Sequence, residues 1–164
     1  SRRQRQMCIR DRRIPGTGAA GGTGGGMLGL FNTTVRPGIE LVLDLAHGRE
    51  ACAWADVIIT GEGSIDSQTP YGKVPNGIAK LAQSQGKPTI AIGGTVTRDP
   101  HTIEALNETG IVATFGIAPG SADLATLIAN TERNVEITCA AIAGTLRVAS
   151  ATAVAAATSP CASA

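Results

Sequence analysis

The 164 residues suffice for one ordinary domain, and a composition of 43% hydrophobic and 16% charged residues excludes a disordered chain. Aromatic residues make up only 2%, so aliphatic side chains must build the core. The net charge is +1, and no apolar run approaches the roughly 18 residues that a membrane-spanning helix needs. We therefore expect neither nucleic acid nor a membrane as a partner.

The first residues carry an unusual charge, because residues 1–13 contain six arginines and a single acid, Asp11. Such a basic arm can contact nucleic acid or an anionic membrane. It can also be a targeting segment, although it has no apolar region of the kind that signal peptides contain. Its letters, SRRQRQMCIRDR, are similar to translated sequencing-adapter sequence. We favour that interpretation, which makes residues 1–13 a non-native arm without a function.

Hydrophobic spacing and glycine positions predict the elements in chain order. A glycine-dense loop over residues 16–26 leads into a short helix. Further helices are predicted over residues 38–46, 49–55, 76–85 and 102–109, and a last helix runs from about Ser121 to Leu146. Three short β-branched runs have the pattern of buried parallel strands: residues 56–60, 88–92 and 111–117. Strands separated by helices predict an α/β fold, a small parallel sheet with helices on its faces.

The end of the chain is compositionally different. Residues 149–164 are rich in alanine, serine and threonine and have low complexity. We interpret them as a non-native or frayed tail. The native part is then predicted to span residues 14–148.

The cysteines show no metal-binding or redox spacing. No CxxC pair and no neighbouring histidine pair accompanies the four residues, which are Cys8, Cys52, Cys139 and Cys161. This pattern predicts reduced thiols in a cytoplasmic protein, and not a disulfide or a zinc site.

The richest candidate site follows the first predicted strand, where ligands of parallel sheets bind. Residues 61–75 read GEGSIDSQTPYGKVP and are predicted to form a loop. Within it, Glu62 and Asp66 are suited to Mg²⁺, and Lys73 is suited to a phosphoryl group. The candidate binding residues around them are Gly61, Gly63, Gln68, Thr69 and Gly72. The alternative is a solvated turn-forming loop, but a long loop without an element of its own favours function.

Two further glycine-rich segments are candidates. Gly93 and Gly94 end the second strand and can offer backbone amides to an anion, although a simple turn explains them nearly as well. Residues 16–21 match the dinucleotide pattern GxGxxG, but no predicted strand precedes them. Phosphate binding without NAD is therefore the favoured interpretation of that loop. His47 and His101 are interpreted as residues at helix ends.

Several motifs together resemble a known family. The stretch with Gly61-Glu62-Gly63, Asp66, Gln68-Thr69, Gly72-Lys73 and Pro75 is similar to GEG-x-x-D-x-Q-T-x-x-G-K-x-P of the bacterial two-domain glycerate kinases. The family's Gly-Ala-Ala-Gly-Gly loop corresponds to Gly18, Ala19, Ala20, Gly21 and Gly22. Later matches are residues 37–40, which read PGIE, then Gly110-Ile111 and Phe115. The resemblance covers residues 14–147.

The resemblance implies an activity and a set of roles. Members of the family phosphorylate D-glycerate with ATP and Mg²⁺, and we favour 2-phosphoglycerate as the product. Glu62 and Asp66 become candidates for the metal ligands, for contact with the substrate hydroxyl and for the base. Lys73 would stabilise phosphoryl or carboxylate charge, and residues 18–22 would lie close to the substrate or the phosphates.

The resemblance also implies that the chain is a C-terminal portion. Family members are more than twice as long, and their active site lies between two α/β domains. The chain is then expected to carry part of the site and to be inactive alone. Two alternatives stay open: a nucleotide-binding α/β domain of another class that uses residues 16–22, and a non-catalytic domain. Neither the phosphorylated hydroxyl nor the oligomeric state follows from the sequence.

Overall fold

The structure is a computed structural model that describes Ile14 and residues 16–158. The predicted arm, residues 1–13, and residues 159–164 of the predicted tail lie outside the described residues. The chain falls into two compact units, which divide between Trp54 and Ala55. Each unit is described by itself below.

The first unit contains three helices: α1 over Ala19–Leu30, α2 over Gly38–Leu45 and α3 over Gly48–Trp54. The start of α1 is not regular, because Ala20, Gly21 and Gly22 have φ values of 51°, 66° and 91°. Left-handed conformations are easy for glycine, as at Gly21 and Gly22. They interrupt the helix in the segment for which the sequence predicts a loop. The predicted helices are confirmed, with boundaries that differ by a few residues.

The second unit is an α/β layer structure. Its elements are β1 (Ile58–Ile65), a 3₁₀ helix (Thr69–Tyr71), α4 (Val74–Gln83), β2 (Thr89–Val96), α5 (Pro100–Glu108), β3 (Ile111–Gly116), α6 (Leu124–Ala129) and α7 (Thr131–Thr158). The three strands pair in the order β1-β2-β3, and both pairs are parallel. The predicted α/β fold with a parallel sheet is confirmed.

The core lies between the sheet and the helices α4 and α5. It consists of Ile65, Ala79, Ala91, Leu106 and Ile111, none of which is more than 1% exposed. The next residue along β2, Ile92, lines a cleft whose other wall is formed by α6 and α7. Because successive side chains of a strand point to opposite faces, helices cover both faces of the sheet.

Two strands are longer than the sequence predicted. We expected β1 to end at Thr60 and β2 at Ile92, but pairing continues to Ile65 opposite Val96. The expectation that residues 61–63 follow the strand as a loop is therefore wrong, as is a turn at residues 93–94. The 3₁₀ helix and the start of α4 also fall within the predicted loop. Backbone pairing with a parallel neighbour supports strand structure where the side chains carry no β pattern.

The last predicted helix is two helices. Asp123 caps α6 by accepting a hydrogen bond from Thr126 N at 3.0 Å, and Asn130 ends it by donating to Thr126 O at 2.8 Å. The second helix, α7, continues to Thr158, beyond the predicted boundary at residue 148. Its alanine-rich sequence favours a helix. The foreign origin of residues 149–164 stays a prediction.

The two cysteines that the structure describes are free thiols. Cys52 is buried and Cys139 is half-buried. Cys8 and Cys161 lie outside the described residues. Across the described part of the chain, no helix combines the length and the apolar character needed to cross a bilayer.

Candidate active site

The three charged residues that the sequence analysis predicts to be catalytic, Glu62, Asp66 and Lys73, lie close together near the end of β1. Glu62 lies within the strand, Asp66 follows its end, and Lys73 precedes α4. Lys73 Nζ is 3.2 and 3.3 Å from the two carboxylate oxygens of Asp66 and 3.5 Å from Glu62 Oε1. Residues 11 positions apart in the chain thus form one ion cluster, which holds an ammonium group between two carboxylates.

Thr69 links the Glu62 carboxylate to the backbone of Asp66. Its hydroxyl donates to Glu62 Oε1 at 2.6 Å and accepts from Asp66 N at 3.0 Å. The residue is 0% exposed, so the structure assigns it a positioning role beneath the cluster. Its predicted contact with substrate or phosphate stays a prediction.

Two other candidates shape the turn. Gln68 is exposed, and its backbone N–H donates to Asp66 Oδ1 at 2.9 Å. Gly72 has a φ of 112°, a conformation that favours glycine and that ends the 3₁₀ helix. This reversal brings Lys73 back to the end of β1.

Asp66 and Lys73 stabilise the charged form of each other. The Gln68 amide, followed by the Lys73 ammonium, lowers the pKa of Asp66 below its usual value. Partial burial lowers the pKa of Lys73, but its hydrogen bond to Asp66 and the charge of Glu62 outweigh that effect, so the net pKa is raised. Lys73 therefore offers a fixed positive charge, and it is not suited to accept a proton.

A cleft of about 470 Å³ adjoins the cluster, between the carboxyl ends of β1 and β2 and the helices α6 and α7. Its lining is largely apolar and consists of Gly61, Glu62, Gly63, Ile92, Gly93, Gly94, Thr95, Ile117, Ala118, Leu124, Leu127, Ile128, Thr131, Asn134 and Val135. Glu62 belongs to both the cleft and the ion cluster. The carboxyl edge of a parallel sheet is where α/β proteins bind ligands.

The glycines around the cleft differ in how much space surrounds the position that a Cβ atom would occupy. A Cβ on Gly61 would lie 3.0 Å from Ile92 O, and one on Gly94 would lie 2.7 Å from Gly63 O. A Cβ on Gly93 would lie 2.8 Å from Thr95 O. These three glycines allow close approach within the sheet. Only at Gly63, among the cleft glycines, does a Cβ position meet nothing within 4 Å, so a ligand can approach the backbone there.

Three of the candidate residues of the first unit, Ala20, Gly21 and Gly22, form a left-handed turn near the start of α1. Gly18, Gly21 and Gly22 have open space at their Cβ positions. Ala20 O accepts a hydrogen bond from the Thr23 hydroxyl at 2.8 Å. The described residues ahead of Ile58 include no strand, so the strand that a dinucleotide fingerprint requires is not among them. The predicted contact of residues 18–22 with substrate or phosphates stays a prediction.

The donor set for a cation consists of two carboxylates. Within residues 14 and 16–158, no group of three or more His, Cys, Asp or Glu side chains could hold a metal ion. A pair of carboxylates such as Glu62 and Asp66 is a donor set that suits Mg²⁺. This ion takes one or two carboxylates and completes its shell with water and phosphate oxygens. They do not fit an ion that requires a closed set of protein ligands.

Sequence reasoning missed the α6–α7 wall of the cleft. Its most informative residue is Asn134, which is 8% exposed and lines the cleft. The sequence does contain a hint of this position. Asn134 lies seven residues after Leu127, a spacing that repeats on one face of a helix, in a pattern that is otherwise apolar. A polar side chain at such a position needs a partner.

The fold and the site define an α/β protein with a ligand site at the carboxyl edge of its sheet. The model of the glycerate kinase family matches residues 2–147. A glycerate kinase from Bacillus cereus is 42% identical over 138 residues, which are 84% of this chain and 35% of that protein. The glycerate 2-kinase of Escherichia coli is 38% identical over 104 residues, which are 63% of this chain and 26% of that protein.

A solved structure is similar over most of the chain. The crystal structure of a Salmonella typhimurium LT2 protein that carries the name glycerate kinase 2 has a TM-score of 0.64 and 34% identity. The match covers 90% of this chain and 38% of that chain. The chain belongs to the glycerate kinase family, and it spans about a third of the length of the Bacillus relative. The matched range begins within residues 1–13, whose foreign origin stays a prediction.

Proposed function

We propose that this chain supplies part of the active site of an enzyme that transfers the γ-phosphoryl group of ATP to D-glycerate. The product is a phosphoglycerate, and 2-phosphoglycerate is favoured. Membership of the family supports the substrate, and the name of the Escherichia coli relative, glycerate 2-kinase, supports the position. The free thiols of the described cysteines fit a reducing cytoplasm.

The observation that carries the proposal is the ion cluster. Phosphoryl transfer demands accurate positioning and stabilisation of negative charge more than covalent chemistry by the protein. Lys73 is held by Asp66 at 3.2 Å and carries a permanent charge. A lysine fixed in this way can stabilise charge on the transferring phosphoryl group without moving during the reaction.

The carboxylates divide two further tasks between them. One is to accept the proton that leaves the attacking hydroxyl of D-glycerate. The other is to hold Mg²⁺, which would supply positive charge for the phosphate oxygens. Glu62 borders the cleft, and Asp66 follows the end of β1 and contacts Lys73 at 3.2 Å.

The test uses a chimaeric enzyme, in which residues 14–148 replace the matching portion of the Bacillus cereus relative. With ATP, Mg²⁺ and D-glycerate it is expected to form ADP and a phosphoglycerate that ³¹P NMR identifies as the 2-isomer. The intact Bacillus enzyme is the control for the assay. A folded chimaera that leaves D-glycerate unphosphorylated would contradict the proposal, and the 3-isomer as product would contradict its position.

A further inference from the structure

The cleft contains one polar side chain that has no partner. Four polar side chains line it: Glu62, Thr95, Thr131 and Asn134. Glu62 accepts from Thr69, Thr95 donates to Ser64 at 3.0 Å, and Thr131 donates to helix carbonyls. The side-chain amide of Asn134 makes no hydrogen bond to any residue that the structure describes, although Asn134 is only 8% exposed.

An amide that lines a cleft and has no protein partner is available to a ligand. Asn134 is not among the described residues whose buried polar atoms lack a partner, so its amide reaches the solvent in the cleft. The backbone of Asn134 is fully used, since its N–H donates to Asn130 O and its carbonyl accepts from the Thr138 hydroxyl. The side chain therefore remains to bind something that enters the cleft.

The residues that line the cleft indicate the chemical class of that ligand. It contains no lysine or arginine, and its only ionisable residue is Glu62, an acid. A carboxylate such as glycerate would find no cation there and would be repelled. Apolar side chains such as Leu127, Ile128 and Val135 instead suit the faces of a flat uncharged ring. The volume, about 470 Å³, lies in the range of sites for ligands much larger than a three-carbon acid.

We propose that the cleft binds the adenine ring of the nucleotide and that Asn134 recognises its polar edge. This inference rests on the proposed function, because it assumes that ATP is the phosphoryl donor. The carboxamide of asparagine offers one acceptor and two donor hydrogens, and it pairs with adenine through the exocyclic N6 amine and N7. Glu62 belongs to both the cleft and the ion cluster, so the phosphates extend from the cleft toward Lys73.

The experiment compares ATP with purine riboside triphosphate, which lacks the exocyclic amine. In the chimaera, kcat/KM should favour ATP by about three- to tenfold, the effect of one neutral hydrogen bond. Asn134→Leu keeps the volume of the side chain but removes the amide, and it should abolish the preference. Asn107→Leu, the same change at an exposed site of α5, should keep it. The melting temperature of Asn134→Leu should not fall, because the lost amide has no partner in the free protein.

The outcomes separate this inference from the proposed function. An active chimaera whose preference for ATP is unchanged by Asn134→Leu overturns the adenine site and leaves phosphorylation of D-glycerate intact. If the chimaera is inactive, binding of adenosine and purine riboside to the 164-residue chain is measured directly. Adenosine must then bind more tightly, and Asn134→Leu must remove the difference; otherwise the inference is wrong. If another segment fills the cleft, neither nucleoside binds.

Discussion

At the scale of single residues, the ion cluster determines how the site responds to pH. Asp66 has a lowered pKa and Lys73 has a raised pKa, so both are charged throughout the neutral range. A carboxylate whose pKa is lowered by folding stabilises the native state above the pKa of the unfolded chain, about 3.9 for aspartate. That contribution is lost as the pH falls through the folded pKa.

Asp66→Asn is therefore expected to lower the melting temperature of the chain at pH 7 and to have no effect at acidic pH. The deficit should shrink as the pH falls below about 4, because the parent carboxyl is then protonated as well. Thermal unfolding followed by circular dichroism at several pH values measures this. Asp56→Asn, at an exposed carboxylate without a hydrogen bond or ion pair to the described residues, is the control. A deficit that persists unchanged at pH 2 would refute a charge-based role for Asp66.

At the scale of elements, the sheet depends on glycines at the point where β1 and β2 approach the cleft. A Cβ on Gly94 would lie 2.7 Å from Gly63 O, a backbone atom that cannot move without displacing the strand. At Gly63 itself, a Cβ meets nothing within 4 Å. Two glycines on neighbouring strands thus have different roles, one in packing and one at the ligand surface.

Gly94→Ala should lower the melting temperature by several degrees, because the added methyl group forces the paired strands apart. Gly63→Ala should leave the melting temperature nearly unchanged. In the chimaera, Gly63→Ala should instead raise KM for a substrate, because its methyl group projects into the cleft. Differential scanning calorimetry and steady-state kinetics give both results. Equal destabilisation by the two variants would show that the glycines have the same structural role.

The first half of β1 and of β2 was predictable, and the second half of each was not. Val57, Ile58 and Ile59 are β-branched residues of the kind that buried parallel strands use, and they predicted β1 correctly. Residues 61–65 read GEGSI and carry no such pattern. Their strand structure comes from pairing with β2, a tertiary interaction between residues about 30 positions apart. Local propensity does not contain that information.

At the scale of the whole molecule, the charged residues of the site could be predicted from the sequence, but the cleft could not. Glu62, Asp66 and Lys73 are polar residues near the predicted carboxyl end of a strand, and the structure places Lys73 within hydrogen-bond distance of both carboxylates. The α6–α7 wall, with Asn134, lies about 60 residues further along the chain. It faces the strand ends only because the helices pack on the sheet, so no motif reveals it.

The central claim is that this chain contributes the charge that assists phosphoryl transfer, and Lys73 tests it most directly. In the chimaera, Lys73→Met removes the ammonium while it keeps the apolar stem, and kcat should fall by about a hundredfold or more, as when one preorganised donor is lost. Lys80→Met, the same change at an exposed position of α4, should leave kcat within about twofold. A folded Lys73→Met enzyme that turns over D-glycerate as fast as Lys80→Met would contradict the claim.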